Sequence, residues 1–589
     1  MVYGQITPTA LNTATNDNNI DGLLWYKRWA SNRITFSFTD DFKNDYEDEL
    51  GYLFSTTHEA TFEMFNATQQ AVARAWMEMY ENVANLDLVE LTSANDRNAT
   101  IRMGRSQAVL NGAFTQVPPG NEGIDNIGDG DIWFGVTFDN PLLGTGDYLL
   151  YGHEIGHALG LSHGHEPFGV REVAMNSNRD SMEFSIMTYR SYIGGPTRGT
   201  NESGGFAQSL MMYDIAAIQH MYGANFNYNA GNTTYTFSPT TGEMSINGVG
   251  QGRPLVRNNI FRTIWDGNGL DTYDFSNYTT KLRINLAPGG WSDLDVGGNS
   301  QRARLNANGN EYARGHIFNA LQYDGDTRSL IERAKGGSNN DQILGNDARN
   351  YLYGNSGNDG LYGYGGIDNL YGHAGNDSLY GHDDNDFLYG WTGNDKLYGG
   401  AGIDSLYGHW EDDHLDGGSG NDRLWGGSDN DTLIGGADSD ELSGSAGRDI
   451  LIGVNPYAQT GSSEIDELIG GSGRDRFVLG VGAPGSATWI GGASPRVFYD
   501  DNVNVSVGRS SYAHIKDFTI GEDDIQLRGS RNDYRLSDYQ VNGRLGTGIF
   551  YNRGQITSEL IGFVEGVTQG TSPDQLNLSS PLGSQFTWV

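Results

Sequence analysis

From Gly336 to Ile452 the chain divides into consecutive nine-residue units with no insertion. GNSGNDGLY (354–362), GHAGNDSLY (372–380), GGAGIDSLY (399–407) and GGSGNDRLW (417–425) show the form. So short a period confines the chain to a stack of tight turns and short strands, or to a disordered linker. The glycines allow a tight loop with positive φ and expose backbone carbonyls. The eighth position is apolar in every unit, from Ile343, Leu352 and Leu361 to Leu451, so its side chain enters a core. A linker has no reason to keep that phase. The sixth position supplies a carboxylate: Asp341, Asp359, Asp368, Asp377, Asp386, Asp395, Asp404, Asp413, Asp422, Asp431, Asp440 and Asp449. Close rows of carboxylates repel one another unless a cation lies between them.

The composition agrees with cation binding. Acidic residues outnumber basic ones by 74 to 37, a formal net charge of −37. Such a chain is a poor partner for nucleic acid or an anionic membrane. Its oxygen ligands suit hard cations, calcium above all. There is no cysteine, which excludes a disulfide scaffold and a thiolate metal site. No apolar run is long enough to span a bilayer. The first 20 or so residues lack a basic start and an apolar core, so they read as a leader or propeptide-like segment and not as a signal peptide.

Three units depart from the pattern. Asn350 replaces the aspartate and Ala348 a glycine in 345–353. Asp384 and Glu411 stand at glycine positions in the units that begin at Gly381 and Gly408. These loops are expected to hold a cation weakly or differently. Tyr353, Tyr362, Tyr371, Tyr380, Tyr389, Tyr398 and Tyr407 fill the ninth position, which predicts an exposed aromatic ladder that stacks for stability.

A second feature concerns chemistry. The run HEIGHALGLSH, His153 to His163, sets three histidines and a glutamate at the spacing of a catalytic zinc site. His153 and His157 are four apart, one turn above the other on one helix face. Gly160 lets the chain leave the helix through a left-handed turn, bringing His163 round as third ligand. Three protein ligands leave a fourth position open for water. Glu154 is placed to take that water's proton and pass it on. His165 is a rival third ligand, but the spacing favours His163 and leaves His165 at the surface.

At these residues the sequence resembles the metzincin metalloproteases, whose motif continues to a methionine-containing turn. SIMTYR, Ser185 to Arg190, follows downstream. The resemblance implies that Met187 forms the turn beneath the metal and that Tyr189 steadies the oxyanion, as in the serralysin branch. The nine-residue units are similar to the GGxGxDxUx repeats of RTX β-rolls. There each unit makes half a coil, loops on one edge lie two units apart, and calcium sits between stacked loops. The segment Ile264 to Ser276 resembles the serralysin link between protease and calcium domain, and Tyr213 to Asn225 its last catalytic helix.

Periodicity supplies the remaining elements. Ile34, Phe36 and Phe38 alternate as in a half-buried strand, and Phe65, Val72, Trp76, Met79 and Val83 recur at helical spacing. Ile101 with Met103 marks another strand. So does Asp131 to Val136, which in metzincins borders the cleft and lies antiparallel to the substrate. The repeat phase breaks after Ile452 and resumes at Gly470 to Gly480.

The expected fold is an α+β metzincin zinc-metalloprotease domain, then an all-β connector and a parallel β-roll. The boundaries are 1–20 leader, 21–250 protease, 251–335 β-sandwich-like connector, 336–480 calcium-binding roll and 481–589 C-terminal β segment with a possible export signal. The expected function is a secreted, extracellular endopeptidase acting on proteins or peptides, with catalytic Zn2+ and structural Ca2+. It is expected to be a monomer exported by type I secretion machinery. The alternative is a calcium-binding or adhesive module with a vestigial protease domain.

Overall fold

The computed structural model describes residues 8–41, 61–109, 112–116, 129–454, 465–481, 496–497, 512–527, 533–552, 558–569 and 586–588. Residues 1–7 of the expected leader (1–20) and about half of the C-terminal segment (481–589) lie outside the described residues; the rest of the leader supplies the strand Thr9–Leu11, paired antiparallel with Lys27–Trp29. The chain forms two compact units: residues 1–278 with 283–331, and 279–282 with 332–589.

The first unit is built on a twisted sheet in the order Asp87–Glu90, Arg33–Phe38, Ile101–Ser106, Ile132–Phe134, Ala113–Thr115. The first four strands run parallel, and Ala113–Thr115 closes the sheet antiparallel. Ile34 and Phe36 are buried, as their alternation predicts. The strand Asp131 to Val136 was expected to border the cleft, and this is overturned. Ala113–Thr115 pairs on its outer side and takes the edge. The signal was hidden because three residues are too few to show an alternation.

The helix Ala67–Val83 starts at Asn66, whose side chain accepts from the Gln69 amide while the Gln69 side-chain oxygen accepts from the Asn66 amide. This reciprocal cap fixes the helix start. Its inner face carries Trp76 and Tyr80, both fully buried. Trp76 donates to the Tyr148 carbonyl at 2.9 Å and Tyr80 to the Gly152 carbonyl at 2.8 Å. Both acceptors lie on the helix Gly146–Leu159, so the first helix fixes the depth and rotation of the second. Gly152 makes this approach possible, since a Cβ there would stand 2.5 Å from the Trp76 indole. A third helix, Met212–Tyr222, closes the far side. Phe261, Trp265 and Phe318, from the segment read as a connector, join the same apolar core as these helices. Short strands Arg262–Ile264, Ile317–Asn319 and Trp291–Ser292 form a small sheet there.

The second unit follows the nine-residue period. Successive strands alternate between two parallel sheets, and neighbours within a sheet pair eighteen residues apart, as Leu370 with Leu388 and Leu379 with Leu397. Each eighth-position leucine from Leu352 to Leu451 is fully buried, so the core is one column of leucines per sheet. After Leu451 the pairing interval rises from eighteen to twenty-six, with Leu442 beside Leu468. The longer interval leaves the stack of paired strands unbroken. Tyr512–Ile515 and Asp524–Leu527 extend the two sheets, and Phe586–Trp588 pairs parallel with the latter. Three antiparallel strands, Tyr534–Val541, Arg544–Asn552 and Ser558–Glu565, complete the unit.

Tyr353, Tyr371, Tyr389 and Tyr407 stack at 4.9–5.0 Å within about 5° of parallel. Tyr362, Tyr380 and Tyr398 form a second ladder. The single exposed ladder expected from sequence is thus two half-buried ladders, because alternate units serve opposite sheets.

Candidate metal centres

The helix Gly146–Leu159 begins at Thr145, whose hydroxyl accepts from the Tyr148 amide at 3.3 Å. It ends at Gly160, where φ is 107° and ψ 18°. That left-handed residue turns the chain so that His163 meets His153 and His157. The three Nε2 atoms lie 3.0–3.3 Å from one another. Among the described residues this is the cluster of three side chains able to share a metal ion.

Their other ring nitrogens define the proton positions. His153 Nδ1 is 2.8 Å from the Ile186 carbonyl, and His157 Nδ1 is 2.8 Å from the Leu161 carbonyl. A carbonyl only accepts, so each Nδ1 carries the proton and each Nε2 keeps its lone pair. His163 Nδ1 is 3.1 Å from Glu166 Oε2. Burial, and then the neighbouring imidazoles, hold His153 down to about 3 and His157 well below its usual value. His153 and His157 thus aim neutral Nε2 lone pairs at the point on which His163 Nε2 also converges. A cation relieves that repulsion, and ligands about 2.0–2.1 Å from a tetrahedral centre stand about 3.3 Å apart. The residues fit zinc.

Glu154 lies on the same helix and is 4% exposed. Its Oε2 accepts from the Thr115 hydroxyl at 2.6 Å, joining it to the edge strand. Burial pushes Glu154 up to about 7, against the Thr115 hydrogen bond. Thr115 carries no motif, and the sequence reading missed it. A cavity of about 220 Å³ brings together Thr115, Glu154, His157, His163 and Tyr189. The Tyr189 ring lies 4.5 Å from that of His163 and is 42% exposed. Burial, with the charges of Glu154 and Glu166, raises Tyr189 to about 12, so it is a donor at neutral pH.

Met187 is fully buried, and its sulfur would meet a Cβ on Gly156 at 2.9 Å. Its turn is tied down by Asp214, which accepts from the Ser185 hydroxyl at 2.6 Å and the Ile186 amide at 2.8 Å. The link from Asp214 through Ile186 to His153 was not legible in the sequence. His165, expected at the surface, is only 11% exposed at its side chain and packs on Tyr189. It stays outside the histidine cluster.

The second candidate centre is repetitive. Every sixth-position aspartate from Asp341 to Asp449 is buried. Oδ1 of each accepts the backbone amide of the residue one turn of the roll before it, as Asp359 Oδ1 from the Asp341 amide and Asp395 Oδ1 from the Asp377 amide, both at 2.7 Å. Oδ2 has no partner in Asp359, Asp368, Asp377, Asp386, Asp395, Asp404, Asp413, Asp422, Asp431, Asp449 and Asp475. It faces the first glycine of its own unit, where a Cβ would intrude to 2.2–2.5 Å. Burial first, then neighbouring carboxylates, pushes Asp413 up to about 9 and Asp386 to about 8. Orphaned buried oxygens in a regular row fit a hard cation. Asp341 differs, because its Oδ2 accepts the Gly337 amide. Asp475 continues the row beyond the phase break and was missed because the insertion shifts the count.

The irregular loops keep the backbone. Asp384 and Glu411 adopt left-handed φ of 75° and 68° at the glycine position. Their carboxylates accept the amides of Gly366 and Gly393 in the preceding turn. Asn350 Oδ1 accepts the Asn346 amide, as Asp341 Oδ2 accepts that of Gly337 and unlike the regular aspartates.

Comparison with known proteins gives a consistent picture. A family model described as RTX calcium-binding nonapeptide repeat matches residues 335–369, 362–397, 392–424, 425–453 and 460–483. One described as peptidase M10 serralysin C terminal matches 224–313. The chain is 32% identical to metallopeptidase AprA of Pseudomonas marginalis over 53% of its own length and 62% of that protein. It is 33% identical to serralysin of Photorhabdus laumondii subsp. laumondii over 50% of its length and 56% of that relative. It is 31% identical to serralysin A of Dickeya chrysanthemi over 56% of its length and 61% of that relative. The chain thus spans somewhat over half the length of the curated relatives it matches.

Proposed function

We propose that this chain, similar over half its length to serralysins, is a zinc-dependent endopeptidase of metzincin type whose roll is stabilised by calcium. The observation that carries this reading is the convergence of three Nε2 atoms at 3.0–3.3 Å beside a buried carboxylate. His153, His157 and His163 hold the zinc. Zinc supplies a Lewis acid that polarises the scissile carbonyl and acidifies water. Glu154 takes the proton of the attacking water and passes it to the leaving amine. The Thr115 hydroxyl orients Glu154 for both transfers. Tyr189 donates to the oxyanion as charge develops. Met187 and Gly160 act structurally, beneath the site and at the turn to His163.

The substrate is an extended peptide lying along Ala113–Thr115, held by main-chain hydrogen bonds that tolerate many sequences. The catalytic part spans 21–250, with 251–335 folded onto it, and 336–480 is the calcium-binding roll carrying Asp359 to Asp449. The protein acts outside the cell as a monomer and leaves by type I secretion. A chain free of cysteine and folded by external calcium suits that route. Among the described residues no helix is long and apolar enough to cross a membrane. A vestigial protease scaffold would have no use for Glu154 and Tyr189 beside an intact histidine cradle.

The test is hydrolysis of casein after refolding in calcium and zinc, comparing the wild type with Glu154→Ala. Wild-type activity that is absent in the variant and abolished by a zinc chelator supports the reading. Two folded, zinc-loaded and equally inactive proteins overturn it.

A further inference from the structure

A second cavity, of about 470 Å³, lies in the first unit and shares no lining residue with the histidine cavity. Its walls are mixed: an apolar part comes from Met79 and Val83 of the helix Ala67–Val83, Leu210 and Ile215 at the start of Met212–Tyr222, and Trp265, and a polar part includes Asn82, Ser209 and Gln251. Its size is that of a small-molecule site.

Arg262 enters this space. It is 6% exposed. Its Nη1 lies 3.4 Å from Met244 Sδ, and its Nη2 lies 3.4 Å from the Gln208 carbonyl. Its Nε has no partner. The titratable groups whose field it feels are the phenols of Tyr148 and Tyr228, both kept neutral by burial. The nearby Asp266 is engaged elsewhere, accepting the Tyr235 hydroxyl at 2.7 Å. Glu78 stands exposed at the rim. Buried guanidinium groups ordinarily face a carboxylate or phosphate, and donors left unpaired at low dielectric are strongly unfavourable. Burial lowers the Arg262 pKa, yet a guanidinium stays charged at physiological pH.

We propose that this cavity binds an organic monocarboxylate with an apolar body, its carboxylate paired with Arg262 and its body packed on Met79, Val83, Leu210 and Trp265. A single guanidinium matches a single carboxylate in a two-bond fork. Glu78 at the rim repels a second negative charge, and the apolar part of the wall favours a ligand with an apolar body over a bare inorganic anion. A free fatty acid and the C-terminus of a short apolar peptide share this chemistry.

The experiment is titration calorimetry on the full chain in calcium and zinc, with octanoate and N-acetyl-leucyl-leucine as probes and octanol as the neutral control. We expect one carboxylate bound per chain and affinity reduced at least about tenfold in Arg262→Met. Arg262→Met removes the unpaired charge without opening a hole. Ile246→Trp, which fills the cavity from another wall, provides a second test if the first variant does not fold. Binding of octanoate alone assigns a lipid-derived ligand, and binding of the peptide alone assigns a peptide carboxylate. No binding of either probe, equal binding by both variants, or octanol binding as well as octanoate overturns the proposal. The measurement needs no substrate turnover, and Glu154→Gln should bind the probes unchanged.

Discussion

At the scale of single residues, the proposed function gives the histidines the task of holding a metal and Glu154 that of moving protons. Glu154→Gln keeps the volume and the contact with Thr115 but removes the base. Peptide hydrolysis should fall by about 10²–10⁴-fold, with bound zinc unchanged when measured by atomic absorption. Tyr189→Phe removes one donor and leaves the ring on His163. It should lower kcat by about 10²-fold and leave KM nearly constant. A loss confined to KM would remove Tyr189 from oxyanion stabilisation. The histidines, Glu154, Met187 and Tyr189 were legible because each belongs to a motif with fixed spacing. Thr115 and Asp214 were not, because their partners lie 39 and 28 residues away and only folding brings them together.

At the scale of elements, the roll makes small changes costly. Each turn repeats the one before, so a misfit meets backbone. At Gly375, φ is 128° and a Cβ would stand 1.9 Å from the Gly357 carbonyl oxygen. Gly375→Ala should cost about 1–3 kcal/mol and shift the calcium midpoint of folding, followed by circular dichroism, to higher concentration. Leu397→Ala opens a hole in the column of buried leucines and should cost about 2–5 kcal/mol in denaturant unfolding at saturating calcium. A change under half a kcal/mol would mean that the column collapses to fill the space. The period of nine was readable because every unit repeats the same apolar and acidic positions. That tyrosines divide into two ladders, and that Ala113–Thr115 takes the sheet edge, depended on which strands became neighbours.

At the scale of the whole molecule, two metals should separate two properties. Removing calcium leaves the row of buried, orphaned Oδ2 oxygens without a counter-ion. The second unit should then lose its β signal, and its unfolding temperature should rise with calcium concentration as binding linkage requires. Removing zinc alone should abolish hydrolysis while leaving that signal intact. Simultaneous loss of both on zinc removal would contradict the separation. The sequence by itself determined the histidine centre, the strand period, the leucine core and the aspartate row, because local spacing and repetition encode them. Tertiary structure decided what spacing does not carry. It set Thr115 against Glu154 and tied Asp214 to the methionine turn. It also set Asp475 into the aspartate row and buried Arg262 without a carboxylate. Each of these is a contact between segments distant in the chain, set by how apolar faces pack and not by any local preference.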